Sequence, residues 1–212
     1  IMVMALKPLY DMAKIKRIVV STYQAVSGAG KEGIDELTDQ VKDFADGKEM
    51  VANILPSASL AKHYPIAFNL IPQIDVFMDN LYTKEEMKMV NETRKIFDDY
   101  DMRITATTVR VPVYRSHSES INVEFENDLN LEEMQKALAA FPGVQVIDNP
   151  QEQLYPMPLY TSEKDDVYVG RLRRDESNEK TFNMWVVGDQ IRKGAALNTL
   201  QIAETMIKNN WL

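Results

Sequence analysis

With two histidines and no cysteine in 212 residues, the placement of each imidazole is informative. One of them closes the run Arg110-Val-Pro-Val-Tyr-Arg-Ser-His117. A guanidinium suits bidentate grip on a carboxylate, and an imidazole exchanges protons near neutrality. The run therefore has the material for a site that holds an anion and moves a proton. In one regular strand Arg110 and His117, at odd separation, point to opposite faces, whereas Arg115 and His117 share one. Pro112 and Ser116 give room for a break that lets Arg110 and His117 converge. An ordinary hydrogen-bonded histidine fits the same residues. His63, between Lys62 and Tyr64 in a proline-marked stretch, reads as a surface residue.

Two further groups could carry chemistry. In Ser21-Thr-Tyr-Gln-Ala-Val-Ser-Gly-Ala-Gly30 the glycines admit close backbone approach, and successive N–H groups in such a turn can bind an anion. A plain strand-to-helix turn explains the same residues. Gln24, polar at the end of an apolar strand, could orient an amide or carboxyl, or only satisfy backbone. Glu85 and Lys88 stand at i and i+3 in a first helical turn, the spacing of a surface ion pair as much as of a site.

The elements that must position these residues follow from periodicity and caps. Residues 1–14 read as an amphipathic helix and 16–23 as a buried β-branched strand. A turn at Ser27–Gly30 opens a helix near 30–46. Residues 47–80, with Pro56, Pro65 and Pro72, predict a long excursion with little regular structure, the kind of segment that covers a partner or a ligand. Thr83-Lys-Glu-Glu86 is a capping box for a helix to about residue 100, and Asn130 caps another to Phe141. Strands are predicted at 105–114, 118–126, 144–147, 167–173 and 181–187, a proline-marked loop at 149–158, and a closing helix from about Gln190 to Asn209. Strands joined without intervening helices argue for an α+β fold: a mixed, largely antiparallel sheet with helices on one face.

Composition bounds the function. Apolar residues make up 45% and charged residues 26%, with a net charge of −8. No basic, aromatic-laced face points to nucleic acid, and no apolar run is long enough to span a membrane. Thiolate metal sites and disulfides are excluded, two distant histidines leave little for a zinc site, and an intracellular, cytoplasmic protein is the expectation. The apolar start at Ile1, with no cap or polar leader, reads as a longer chain entered partway through a helix. Two hypotheses stand on the residues alone. One is an enzyme domain that handles a small anion with Arg and His. The other is an assembly module whose 47–80 excursion covers a partner.

Five segments together resemble aspartate-β-semialdehyde dehydrogenases, in the style of Gram-positive bacteria. They are Thr22-Tyr-Gln-Ala-Val-Ser-Gly-Ala-Gly30, Ala67-Phe-Asn-Leu-Ile-Pro-Gln73, Thr83-Lys-Glu-Glu-Met-Lys88, Val109-Arg-Val-Pro-Val-Tyr-Arg-Ser-His-Ser118 and Gly188-Asp-Gln-Ile-Arg-Lys-Gly-Ala-Ala-Leu-Asn198. They run in the family's order over nearly the whole chain. The resemblance implies one catalytic and dimer-forming domain over 1–212, like the C-terminal domain of glyceraldehyde-3-phosphate dehydrogenase. The dinucleotide-binding domain and the nucleophilic cysteine lie outside the chain, and residues 190–212 form a helix that returns toward the absent domain. It implies NADP-dependent reduction of β-aspartyl phosphate to aspartate semialdehyde and phosphate, toward lysine, methionine and threonine. His117 would be the acid/base, Gln24 would orient the substrate, and Arg110 would grip its α-carboxylate. Glu85 would meet the ammonium and Lys88 the phosphate, with Ser27, Gly28 and Gln190 along the NADP. A homodimer through the sheet face and the 47–80 segment is expected, with this chain inactive by itself or serving only as an assembly module. The pairing of Arg110 with His117 also requires the break near Pro112 and Ser116.

Overall fold

The computed structural model describes residues 1–211. Six strands form one sheet in the order β2-β1-β3-β6-β5-β4. They are β1 Ile15–Gln24, β2 Arg103–Arg110, β3 His117–Phe125, β4 Val144–Val146, β5 Val167–Arg174 and β6 Thr181–Gly188. The β1–β3, β3–β6 and β5–β6 pairs are antiparallel, while β1–β2 and β4–β5 are parallel. The predicted mixed, largely antiparallel sheet is therefore present.

Alternation decides which face is covered. In β1, Ile18, Val20, Thr22 and Gln24 are buried, while Arg17, Val19, Ser21 and Tyr23 between them are only half-buried. Register carries this onto the neighbours: Val20 stands opposite Ile121, and Ile121 opposite Met184. The buried face meets α1 (Met2–Met12) and α4 (Leu131–Ala140) in a single core that includes Leu6, Leu9, Phe125, Met134, Leu138 and Phe182. The opposite face is left with Ser120 exposed and Tyr23, Asn122 and Trp185 half-buried.

The two caps form as expected. Thr83 and Glu86 close a reciprocal box at the start of α3 (Lys84–Phe97) after α2 (Gly30–Ala45), and Asn130 Oδ1 accepts from the amides of Glu132 and Glu133. Glu86 does more than cap. Its Oε1 accepts from the Thr108 amide at 3.0 Å, which ties α3 to β2. The predicted loop at 149–158 contains a single 3₁₀ turn and ends at a one-turn helix, α5 (Pro158–Thr161). The closing helix begins at Gln190, widens into a π segment at Arg192–Ala196 and continues as α6 (Leu197–Lys208).

The excursion has no helix or strand between Ala45 and Lys84, as expected, yet it is well anchored. Two α2 side chains one turn apart serve as its template. Glu36 accepts from the amides of Asn53, Ile54 and Leu55 at 2.6, 2.8 and 3.0 Å. Gln40 Oε1 accepts from Ile66 and Ala67, and its Nε2 donates to the Val51 carbonyl. Backbone polar groups that a sheet would have paired are satisfied by side chains here. A second small core of Val26, Leu37, Leu55, Ile66, Ala67 and Ile71 lies beneath.

Candidate active site

Three strand ends meet at one edge of the sheet. Gln24 ends β1, Arg110 ends β2 in register with it, and His117 begins β3 in register with Gly188. All three lie on the helix-covered face. The predicted break is real but sharper than the sequence suggested. β2 stops at Arg110 instead of continuing to residue 114, and β3 starts at His117. Ser116 turns the chain with φ 68, in the left-handed region that few non-glycine residues adopt. The two side chains thus belong to strands on either side of β1, and the parity argument for a single strand does not apply. Linker residues cross the end of β1, with Val111 N–H donating to the Gln24 carbonyl and Val26 N–H to that of Val113.

Seven of the eight expected residues, Gln24, Gly28, Glu85, Lys88, Arg110, His117 and Gln190, line one cavity of about 540 Å³. Ser27 joins them through Gln190, whose Nε2 donates to Ser27 Oγ at 2.6 Å. Gln24 Nε2 donates to Glu85 Oε1 and to Thr22 Oγ1, both at 3.3 Å. Glu85 also faces Lys88 across 3.7 Å. The surface-pair and site readings of these two residues therefore meet at the cavity rim.

The main chain of Ala25 holds both central groups. Its N–H donates to His117 Nδ1 at 3.1 Å, and its carbonyl accepts from Arg110 Nη1 at 2.8 Å. Arg110 Nε and Nη2 donate to the Pro56 carbonyl. Arg110 is 3% exposed, and its guanidinium has carbonyl partners but, among the described residues, no carboxylate in salt-bridge contact. Burial pulls its pKa down to about 10, against the pull of Glu85. A buried cation that lacks a contacting anion favours an anionic ligand. Burial, and then the Arg110 charge, pushes His117 down to about 3.

Gly28 is glycine for space. A Cβ there would stand 2.7 Å from Arg110 Nη1 and 3.6 Å from His117 Cε1. Gly28→Ala is expected to push the guanidinium off the Ala25 carbonyl and cost ~1–3 kcal/mol, as overpacking does. A urea midpoint unchanged from the parent chain would refute this.

Two sequence candidates lie elsewhere. Arg115 turns to Glu163 and to the fully buried Asp189, both at 2.8 Å, and is structural. His63 is half-buried, not on the open surface, and does not line the cavity. The sequence reading missed Glu119, which is 6% exposed with Oε2 unpartnered and lines the same cavity. Its signal was available: two residues after His117, it shares that residue's face. Burial raises its carboxyl pKa. Lys193 and Asn198 also line the cavity and were not singled out.

Fold and site together define an α+β domain with a buried guanidinium and an imidazole at a cavity where three strand ends meet. Residues 6–193 match the family described as semialdehyde dehydrogenase, dimerisation domain, and the chain belongs to it. It is 54% identical to the aspartate-semialdehyde dehydrogenase of Aquifex aeolicus, over 98% of this chain and 59% of that protein. It is 47% identical to that of Bacillus subtilis, over 99% and 61% respectively. Aspartate semialdehyde dehydrogenase II of Vibrio cholerae, solved in complex with ASA, superposes with a TM-score of 0.90 at 45% identity, over 98% of this chain and 59% of that one. The Candida albicans enzyme, solved with NADP, gives 0.68 at 25% identity, over 99% and 56%. The chain spans about three-fifths of the length of these relatives. No described helix is long and apolar enough to cross a membrane.

Proposed function

We propose that this chain is the substrate-binding, dimer-forming part of an aspartate-semialdehyde dehydrogenase, a cytoplasmic NADP-dependent oxidoreductase. The reaction is reductive dephosphorylation of β-aspartyl phosphate to aspartate semialdehyde, on the route to lysine, methionine and threonine. The observation that carries this reading is Arg110, a buried guanidinium lined up with His117 at one cavity and lacking an anion of its own. Arg110 takes the substrate's α-carboxylate, Glu85 its ammonium and Lys88 the phosphate. Gln24, already bonded to Glu85, orients the substrate, and His117 serves the reacting carbonyl.

Ser27, Gly28 and Gln190 fit the nicotinamide end of NADP. Gln190 Oε1 is buried and unpartnered, an acceptor that a donor such as a carboxamide would satisfy. NADP supplies the hydride when bound, and most of its binding surface belongs to a dinucleotide domain outside this chain. The domain proper is the whole of 1–212.

The 212 residues contain no thiol, so the chain by itself performs no turnover and serves as an assembly domain. Homodimerisation uses the sheet face that carries Tyr23, Ser120 and Trp185 and the excursion with exposed Phe68 and Leu70. Purified chain given aspartate semialdehyde, phosphate and NADP should show no rise in nicotinamide absorbance, while sedimenting as a dimer. A chimera that places the N-terminal part of the Aquifex aeolicus relative ahead of it should show that rise. A folded, dimeric chimera without activity would overturn the proposal.

A further inference from the structure

Arg110 is held at two levels, and the two have different supports. Its main chain is fixed by Ile71, with which it exchanges both backbone hydrogen bonds, at 2.9 and 3.1 Å. Its guanidinium is fixed by two carbonyls. Nη1 donates to Ala25 at 2.8 Å, while Nε and Nη2 donate to Pro56 at 3.3 and 3.2 Å. Of the guanidinium's N–H groups, these bonds leave one on each terminal nitrogen. A carboxylate can accept from such a pair with both oxygens at once.

The two carbonyls are not equally anchored. That of Ala25 follows directly on β1, at the sheet. That of Pro56 belongs to the excursion, which has no ladder to hold it. The three amides immediately before it, of Asn53, Ile54 and Leu55, all end on the carboxylate of Glu36. Leu55 and Pro56 are buried, and Leu55 belongs to the small core under the excursion. Glu36 is itself buried on α2. Burial first, and then the charge of Glu85, sets the electrostatics of Arg110. What Glu36 does to the guanidinium therefore travels through the main chain of residues 53–56.

We infer that Glu36 is a positioning residue for the substrate's carboxylate: through residues 53–56 it holds the Pro56 carbonyl in place, and that carbonyl sets the plane in which Arg110 presents its remaining N–H pair. The consequence for substrate rests on the reductase reading above, whereas the link from Glu36 to the guanidinium does not. A bidentate grip depends on the plane of the guanidinium as well as on its charge. A guanidinium released from Pro56 still attracts an anion, but it no longer meets both oxygens together. The loss falls on the carboxylate end of the substrate and leaves the phosphate contact assigned to Lys88 alone.

Glu36→Gln tests this, because it keeps the size of the side chain and replaces one acceptor oxygen by a donor that faces amides. In ¹⁵N-arginine-labelled chain the Arg110 Nε–H, buried against Pro56, should stay visible at neutral pH. In Glu36→Gln that signal should be lost to exchange while the amides of Ile71 and Arg110 keep their protection. In the chimera with the N-terminal part of the Aquifex aeolicus relative, the variant should raise KM for aspartate semialdehyde about tenfold, with KM for phosphate unchanged. An Nε–H equally protected in the variant, or a fall in kcat alone, would overturn the inference, since a merely structural Glu36 changes the amount of folded enzyme and not its KM. If Glu36→Gln does not fold, the parent chain decides. There the Nε–H and the amides of Ile54 and Leu55 should open with one urea dependence, and separate dependences would overturn the inference. A dimeric but inactive chimera beside the expected Nε–H behaviour would sink the reductase reading alone.

Discussion

Glu36→Ala is expected to lower the stability of the chain by ~3–5 kcal/mol, because one carboxylate serves three amides at once. The amides of Asn53, Ile54 and Leu55 lie in a segment with no ladder to receive them, so removing the acceptor strands them. Leu55 is fully buried, and its amide has no route to water without opening the small core around Leu37 and Ile66. A loss of this size is a large part of the 5–15 kcal/mol that holds a typical domain together. Glu36→Gln keeps one acceptor oxygen and should cost distinctly less. Urea midpoints report the difference, and hydrogen exchange at Asn53–Leu55 should accelerate in Glu36→Ala before exchange in the sheet does. If Glu36→Ala lies within ~1 kcal/mol of the parent, the anchoring account is wrong.

Acid should destabilise the chain through His117 over a defined window. The folded ring titrates at about 3 against an ordinary 6.5. Between those values the unfolded chain binds more protons, so stability falls as pH falls. The contribution is complete above 6.5, is lost progressively below it and is gone at about 3. At ~1.4 kcal/mol per pH unit the gap is worth at most about 4–5 kcal/mol. The ring keeps part of its surface on the cavity, which makes that figure a ceiling. Glu119 works in the opposite sense: its raised pKa gives stability at low pH that is lost as pH rises. The comparison must therefore be with His117→Gln, which removes the imidazole and leaves the carboxyl. Denaturation at a series of pH values should give a visibly flatter acid limb for the variant. Equal slopes would mean that His117 is not held neutral by the fold.

Much of the local architecture was legible. The capping box at Thr83, the Asn130 cap and the alternation in 118–126 each have a nearby physical cause, and each element formed where expected. The parallel pairing of β1 with β2 was not legible, because the strands are joined through residues 25–102 and no short-range pattern encodes their register. The anchoring role of Glu36 and Gln40 was not legible, since a polar helix residue that feeds a distant backbone has the same spacing as one that faces water. The candidate side chains were found by type, but their partners were not. His117 and Arg110 are both held by the main chain of Ala25, and a main-chain group leaves no mark in residue type. Arg115, by contrast, had the right chemistry and the right parity, yet Asp189 claimed it.

That shared residue has a consequence for selectivity. With the imidazole on its N–H and the guanidinium on its C=O, the span between the two groups is a length set by the backbone. Under the proposed reading it works as a ruler for the number of carbons between the substrate's two ends. A homologue longer or shorter by one methylene would mis-seat one end or the other. No side-chain change at position 25 would rescale it, because the graduations are written in the main chain.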